Sequence, residues 1–186
     1  MTRERNVLLI FDEVQTGFGR TGRAWAFENY GIEPDIFTAG KSIAGGLPIG
    51  VAVVRREFGD VFEPGEHGST FAGNPLVMAA ARAGVEVLVN EGVPDRARAI
   101  GDKLMRILED ELNGLKTVLR IKGMGLMMGI ELKKRADPYI DKLMNAGLLA
   151  SVAGGTTVRL LPPYCITDED LETAVRALRS VLSDSS

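Results

Sequence analysis

The stretch LLIFDEVQTGFGRTG, residues 8–22, decides how the first part of the chain is interpreted. The apolar run at residues 7–11 is typical of a strand that is buried on both faces of a parallel sheet. It ends on the carboxylates of Asp12 and Glu13, and three glycines then interrupt regular structure. Ligands of open α/β sheets bind beyond the carboxyl ends of the strands, so Asp12 is placed to meet a ligand. Capping of a turn is the alternative role.

A second stretch, IFTAGKSIAGG at residues 36–46, places one ammonium group among small and apolar side chains. Residues 35–38 predict another short buried strand, which would bring Lys41 to the same sheet edge as Asp12. The small residues around Lys41 favour close packing against something flat. A lysine that extends into solvent is the alternative.

The rest of the chain predicts an α/β part followed by an α+β part. Further elements follow from helix-start residues, apolar spacing and glycine bends. They are a strand at residues 49–54, a helix from Asn74 and Pro75 to about Asn90, an amphipathic helix at residues 95–112, a hairpin at residues 118–132, a short helix at residues 137–147, a strand in VRLL, and a last helix opened by a capping box of Thr167 and Asp170.

Composition excludes several classes of protein. The 186 residues carry a net charge of −3, so no basic surplus indicates nucleic acid or an anionic membrane as a partner. A single cysteine, Cys165, and a single histidine, His67, rule out a disulfide within the chain and a metal site rich in these residues. No segment approaches the roughly 20 apolar residues that span a bilayer, and we therefore expect a cytoplasmic protein.

Five motifs occur in a fixed order and together cover essentially the whole chain. They are LLIFDEVQTGFGRTG, DIFTAGKSIAGGLPIG, GEHGSTFAGNPL, RIKGMGLMMGIEL and VRLLPPYCIT. In this order they resemble the class-III aminotransferases, which use pyridoxal 5′-phosphate (PLP) and have PLP fold type I. Within that class they are most similar to the acetylornithine aminotransferases. The resemblance implies a partial PLP-binding large domain at residues 1–85 and a small α+β domain at residues 86–186.

The resemblance also implies roles for four residues around the cofactor. Lys41 would carry PLP through its aldehyde carbon. Asp12 would face the pyridine nitrogen and keep it protonated, which makes the ring a better electron sink. Val14 would pack on the ring face, and Gln15 would approach the phenolic oxygen.

Other residues would bind the cofactor phosphate and the substrate. Thr70 matches the threonine that binds the phosphate in the neighbouring subunit, which implies a homodimer with shared active sites. Ser69 lies beside it and is assigned to the substrate, while His67 would shape the loop. Arg159 matches the arginine that clamps the substrate α-carboxylate, a role that suits the bidentate guanidinium group.

The activity implied is transamination of acetylornithine or a similar omega-amino acid derivative, with 2-oxoglutarate as the acceptor. The partners are thus a small amino acid and a 2-oxo acid. Lys41 would move the proton as general base and then as general acid. Related enzymes act on ornithine, 4-aminobutyrate, succinylornithine or a carrier-bound lysine precursor, so the donor stays open.

Two alternatives come from other classes of protein. Chains of this family are much longer at the N-terminus, so we expect a C-terminal portion with weak or no activity alone. A catalytically inactive fragment or structural partner that retains the fold is therefore one alternative. A nucleotide-binding module is another, although GFGRTG and IAGGLPIG fit neither the dinucleotide nor the P-loop glycine spacing.

Overall fold

The computed structural model describes residues 2–183, and these form two compact units. One unit extends to Pro94 and the other begins at Asp95. None of the helices in the described part of the chain is both long and apolar enough to cross a bilayer. The division into a large and a small domain at residue 85 stays a prediction.

The first unit contains a three-stranded sheet in the order β1-β2-β3, formed by Ile10–Asp12, Ile36–Gly40 and Gly50–Val54. Strand β1 runs parallel to β2, whereas β3 runs antiparallel to it. The predicted second and third strands are confirmed. The prediction of a first strand buried on both faces is wrong, because β1 is a short edge strand and 59% of Ile10 is exposed.

The two faces of this sheet have different environments. Four aromatic side chains cluster on one face, with ring centroids 4.7–6.1 Å apart in the contacting pairs, and they are Phe11, Trp25, Phe27 and Phe37. Successive side chains of a strand point to opposite faces. Asp12 and Thr38, which follow Phe11 and Phe37, therefore lie on the other face.

Helix α1, Pro75–Asn90, closes the first unit. The predicted start is confirmed, because the Asn74 side chain accepts hydrogen bonds from the backbone of Leu76 and Val77 at 3.0 and 3.4 Å. At Gly84 a Cβ atom would clash with the carbonyl oxygen of Ile43, so only glycine allows this approach. Helix α1 therefore packs directly on the turn that follows β2.

The second unit combines a four-stranded antiparallel sheet with two helices and all but the first two residues of a third, Val93–Leu112. The strands lie in the order β4-β5-β7-β6, and the elements are β4 (Val118–Met124), β5 (Met127–Leu132), β6 (Ser151–Ala153), β7 (Thr157–Leu160), α2 (Val93–Leu112), α3 (Asp137–Asn145) and α4 (Asp168–Ser183). Strands β4 and β5 form the predicted hairpin. Strand β6 was not predicted, because three residues are too few to show an alternating pattern.

The core of the second unit is filled by side chains with almost no exposure. Leu108, Leu178 and Ile130 are each fully buried, and they come from two helices and a strand. The predicted capping box is confirmed, because the Thr167 hydroxyl accepts from the Asp170 backbone at 3.2 Å. The Asp170 carboxylate accepts from the Thr167 backbone at the same distance.

Candidate active site

A cleft of about 1280 Å³ opens in the first unit between β2, β3, the turn after β2 and the start of α1. Of the residues predicted for the site in this unit, Val14, Lys41 and Ser69 line it. Asp12, Gln15 and Thr70 are not among the lining residues. The cleft therefore brings together Lys41, Val14 and part of the loop at residues 61–74.

Lys41 is exposed and follows β2 directly, as the first residue of the 3-10 turn Lys41–Ala44. Its backbone φ of 49° lies in the left-handed region, which costs a non-glycine residue about 1–3 kcal/mol. The contact between Gly84 and Ile43 holds this turn against α1. The unusual backbone conformation of Lys41 therefore occurs in a turn that is packed against α1.

Asp12 ends β1, and its Oδ1 atom accepts two hydrogen bonds. The backbone N–H of Val14 donates at 3.1 Å and the hydroxyl of Thr38 donates at 2.9 Å. These donors, the Val14 amide first, lower the pKa of Asp12 below its ordinary 3.8, and the Lys41 ammonium adds to the effect. Asp12 is therefore a carboxylate at neutral pH, within the electrostatic influence of Lys41.

The loop of residues 61–74 contributes exposed polar groups to the cleft. Ser69 and His67 line it, whereas Thr70 is exposed beside them. The ring of His67 stacks on Phe62, with centroids 5.3 Å apart and planes at 24°. The imidazole thus contacts a side chain of its own loop.

Arg159 belongs to the second unit, where it lies on β7. Its neighbours Val158 and Leu160 point into the core, so Arg159 lies on the opposite face of the sheet. Its Nε donates a hydrogen bond to Ser151 Oγ at 3.1 Å, and its side chain is half-buried. The guanidinium group is thus oriented by the neighbouring strand β6.

Sequence reasoning missed two residues beside Asp12. Glu13 is only 2% exposed, and its carboxylate accepts from Phe27 N at 2.9 Å and from Thr16 Oγ1 at 2.5 Å. Glu13 thus ties Thr16 and Phe27, which flank the glycine-containing loop of residues 17–22, to the end of β1. Alternation along the strand could have placed Glu13 on the face opposite Asp12. Thr38 was missed because its importance depends on strand register, which one sequence does not reveal.

Two glycines of GFGRTG, Gly17 and Gly19, lie close to other side chains. A Cβ atom at Gly17 would lie 2.6 Å from the Trp25 ring, and one at Gly19 would lie 3.1 Å from Leu88. These contacts give both positions a packing reason for glycine. Among residues 2–183 there is also no group of three or more His, Cys, Asp or Glu side chains arranged to hold a metal ion.

Comparisons with known proteins agree on one family. The sequence model described as "Aminotransferase class-III" matches residues 1–182. The putative [LysW]-aminoadipate semialdehyde/glutamate semialdehyde transaminase of Pyrobaculum aerophilum is 58% identical, over 97% of this chain and 46% of that protein. The acetylornithine aminotransferase of Methanothermobacter thermautotrophicus is 44% identical, over 99% of this chain and 47% of its own length.

Solved structures give the same result for the fold. The ornithine δ-aminotransferase of Plasmodium falciparum superimposes with a TM-score of 0.90 at 36% identity, covering 97% of this chain and 48% of that one. The acetylornithine aminotransferase of Elizabethkingia anophelis gives 0.88 at 34% identity, with 97% and 49% covered. One similar structure, from Toxoplasma gondii, is described with PLP at its active site.

The chain spans about half the length of the curated relatives that it matches. Its mixed α/β architecture is that of a partial PLP fold type I enzyme, and PLP is the cofactor that its family and its structural neighbours indicate. The family match extends through both compact units. The chain therefore belongs to the class-III aminotransferases.

Proposed function

We propose that this chain binds PLP through Lys41 and takes part in the transamination of acetylornithine or a similar omega-amino acid derivative. The acceptor would be 2-oxoglutarate. The observation that carries the proposal is the shared cleft of Lys41 and Thr38, because the Thr38 hydroxyl holds the ionised carboxylate of Asp12. An amine and a carboxylate that faces the pyridine nitrogen are two groups by which a protein binds and activates PLP.

The side chains present fit the cofactor chemically. Bound PLP supplies an electron sink that stabilises negative charge at the substrate carbon. Asp12 stays ionised at neutral pH, so it can hold a proton on the pyridine nitrogen. Val14 lines the cleft and offers an apolar wall for a ring, and Gln15 follows at the same loop for the phenolic oxygen.

Lys41 would also act as the acid–base group. Its side chain is exposed at the cleft, so a freed amine can take a proton from the substrate carbon and return it. The 3-10 turn limits where this amine can move, because its backbone is packed against α1. Proton transfer needs such positioning within hydrogen-bond reach.

Three residues would bind substrate and phosphate. Arg159, oriented by Ser151, would grip the α-carboxylate with its guanidinium group. Ser69 would contact the substrate, and Thr70 would donate to the phosphate of a neighbouring subunit. The exposed loop supports this arrangement, since 82% of Phe71 beside Thr70 is exposed, and it makes a homodimer with shared sites part of the proposal.

A second candidate substrate comes from the relative with 58% identity, which is named for [LysW]-aminoadipate semialdehyde and glutamate semialdehyde. The chain named acetylornithine aminotransferase is 44% identical. The higher identity favours a carrier-linked semialdehyde as the oxo substrate. The amine that corresponds to each candidate can be added to the PLP-bound chain. The decrease in the absorbance band of bound PLP then compares the two amines directly.

Absorbance titration with PLP tests the proposal. Wild type should develop a band that depends on Lys41, and Lys41→Ala should lose it. Lys116→Ala serves as the matched control, because it removes an ammonium group from the second unit. Equal bands in wild type and Lys41→Ala would refute the proposal, and would favour an inactive chain that only retains the fold.

A further inference from the structure

Thr38 is the middle residue of a row of three that crosses the sheet of the first unit. The strand register pairs Asp12 with Thr38 and Thr38 with Ala52. Thr38 and Ala52 both line the cleft. Because paired residues of neighbouring strands present their side chains on one face, Asp12 lies on the same face of the sheet as Thr38 and Ala52, although it does not itself line the cleft.

The Thr38 hydroxyl is directed along this row. It lies 2.9 Å from Oδ1 of Asp12, which also accepts from Val14 N at 3.1 Å. One donor comes from the neighbouring strand and the other from the turn that follows β1. Both of these hydrogen bonds end on Oδ1 of Asp12. The carboxylate is thus fixed at one of its two oxygens.

Strand formation alone does not require a hydroxyl at this position. Threonine and valine have the same branched shape and both favour strands. A valine would fill the same volume between Asp12 and Ala52. The feature that only threonine or serine supplies is the donor to Asp12.

We propose that Thr38 is a positioning residue, whose hydroxyl holds the Asp12 carboxylate so that Oδ2 is presented to an N–H group of the molecule bound in the cleft. The identity of that group as the pyridine N–H of PLP rests on the proposed function. The hold on Asp12 itself does not, because it is made by the chain alone.

Thr38→Val and Thr38→Ser test this role as a matched pair. The first measurement is the pKa of Asp12 by carbon NMR without cofactor, with the resonance assigned from Asp12→Asn. Thr38→Val should raise this pKa towards the ordinary 3.8, because one of its two hydrogen-bond donors is lost. Thr38→Ser should titrate like wild type. Lys41, the charged group that acts on Asp12 among the described residues, stays in every variant.

The second measurement is the affinity of each variant for PLP by absorbance. Thr38→Val should bind about three- to tenfold more weakly than wild type, as expected for one lost hydrogen bond, and Thr38→Ser should bind normally. An unchanged pKa of Asp12 in Thr38→Val would overturn the proposal, and so would a raised pKa with unchanged affinity. If the pKa rises but even wild type fails to bind PLP, Thr38 does hold Asp12 and the proposed function is refuted instead.

Discussion

The two compact units differ in how completely they bury their apolar side chains. In the second unit Leu108 and Leu178 have no exposed surface. In the first unit the most deeply buried apolar residues are alanines, such as Ala39 at 2%, while Phe62 and Leu76 are 66% and 70% exposed. The unit that carries Lys41 and Asp12 therefore has the smaller core.

This difference separates stability from ligand binding. Buried apolar area is the main favourable term in folding, so we expect the second unit to hold most of the stability of the chain. The first unit thus combines the candidate site with the smaller apolar core, whereas the second unit contains the larger one.

The largest effect is expected from a matched pair of leucine truncations. Leu108→Ala removes a fully buried side chain, which typically costs about 2–5 kcal/mol of unfolding free energy. Leu76→Ala removes a side chain that is 70% exposed, and such changes usually stay within about 0.5 kcal/mol. Urea unfolding followed by circular dichroism measures both.

Trp25, the only tryptophan, lies in the first unit and makes this comparison sharper. Its fluorescence should change at lower urea than the circular dichroism of the helices, since it reports the unit with the smaller core. Coincident transitions, or a Leu76→Ala effect as large as that of Leu108→Ala, would show that the two units do not differ as described.

The next effect comes from two helical glycines that each meet a backbone carbonyl. A Cβ atom at Gly84 would clash with Ile43 O, and one at Gly101 would clash with Gly125 O. Overpacking of this kind typically costs about 1–3 kcal/mol. Gly84→Ala should lower the urea concentration at which Trp25 fluorescence changes. It should also weaken PLP binding, because it displaces the turn that begins at Lys41.

Gly101→Ala is the control for that experiment, because its clash lies within the second unit. Gly101→Ala should lower the urea concentration of the unfolding transition seen by circular dichroism, and it should leave the absorbance band of bound PLP unchanged. If Gly84→Ala binds PLP as wild type does, the packing of α1 does not position Lys41.

A comparable effect is expected at Glu13, which links the glycine-containing loop to β1. Glu13→Ala leaves the Phe27 amide without its acceptor, and an unsatisfied buried group typically costs about 1–3 kcal/mol. Glu13→Gln retains an acceptor oxygen and should cost less. Hydrogen exchange at the Phe27 amide measures the difference, and equal protection in both variants would exclude this linking role.

The smallest effect is expected at the capping box of α4. Thr167→Ala should cost about 0.5–2 kcal/mol, as is typical for a lost helix cap. The Thr167 hydroxyl and amide lower the pKa of Asp170 below its ordinary 3.8. The ionised carboxylate of Asp170 therefore stabilises the folded state above pH 3.8. This stabilisation is lost as the pH falls through the lowered pKa of Asp170 in the folded state.

Acid unfolding of the second unit tests this sign. Thr167→Ala should reduce the dependence of its melting temperature on pH in the acid range, because Asp170 then titrates nearer its ordinary pKa. An acid dependence as steep as that of wild type would mean that Thr167 does not stabilise the charged form.

Local signals in the sequence predicted most of the elements. Asn74 with Pro75, and Thr167 with Asp170, mark helix starts by hydrogen bonds that form within a few residues. Such signals are reliable because they do not depend on the rest of the fold. The same holds for the hairpin of β4 and β5, which closes at Gly125 with a φ of 55°.

Features set by distant neighbours were harder to predict. The apolar run before Asp12 reads as a central strand, yet β1 pairs on one side only and leaves Ile10 exposed. The role of Thr38 depends on its register with Asp12, which lies 26 positions away. The lysine and the carboxylate could be identified from motifs, but not the hydroxyl that donates to the carboxylate.

Covalent trapping of PLP tests the central claim most directly. Lys41 is the only lysine in residues 1–94, so the adduct can be located by peptide mass spectrometry after reduction with borohydride. The account predicts that labelling at low PLP concentration is concentrated on the peptide that contains Lys41, and that Asp12→Ala reduces it. Labelling spread over the lysines of the second unit, with Lys41 unmodified, would contradict it.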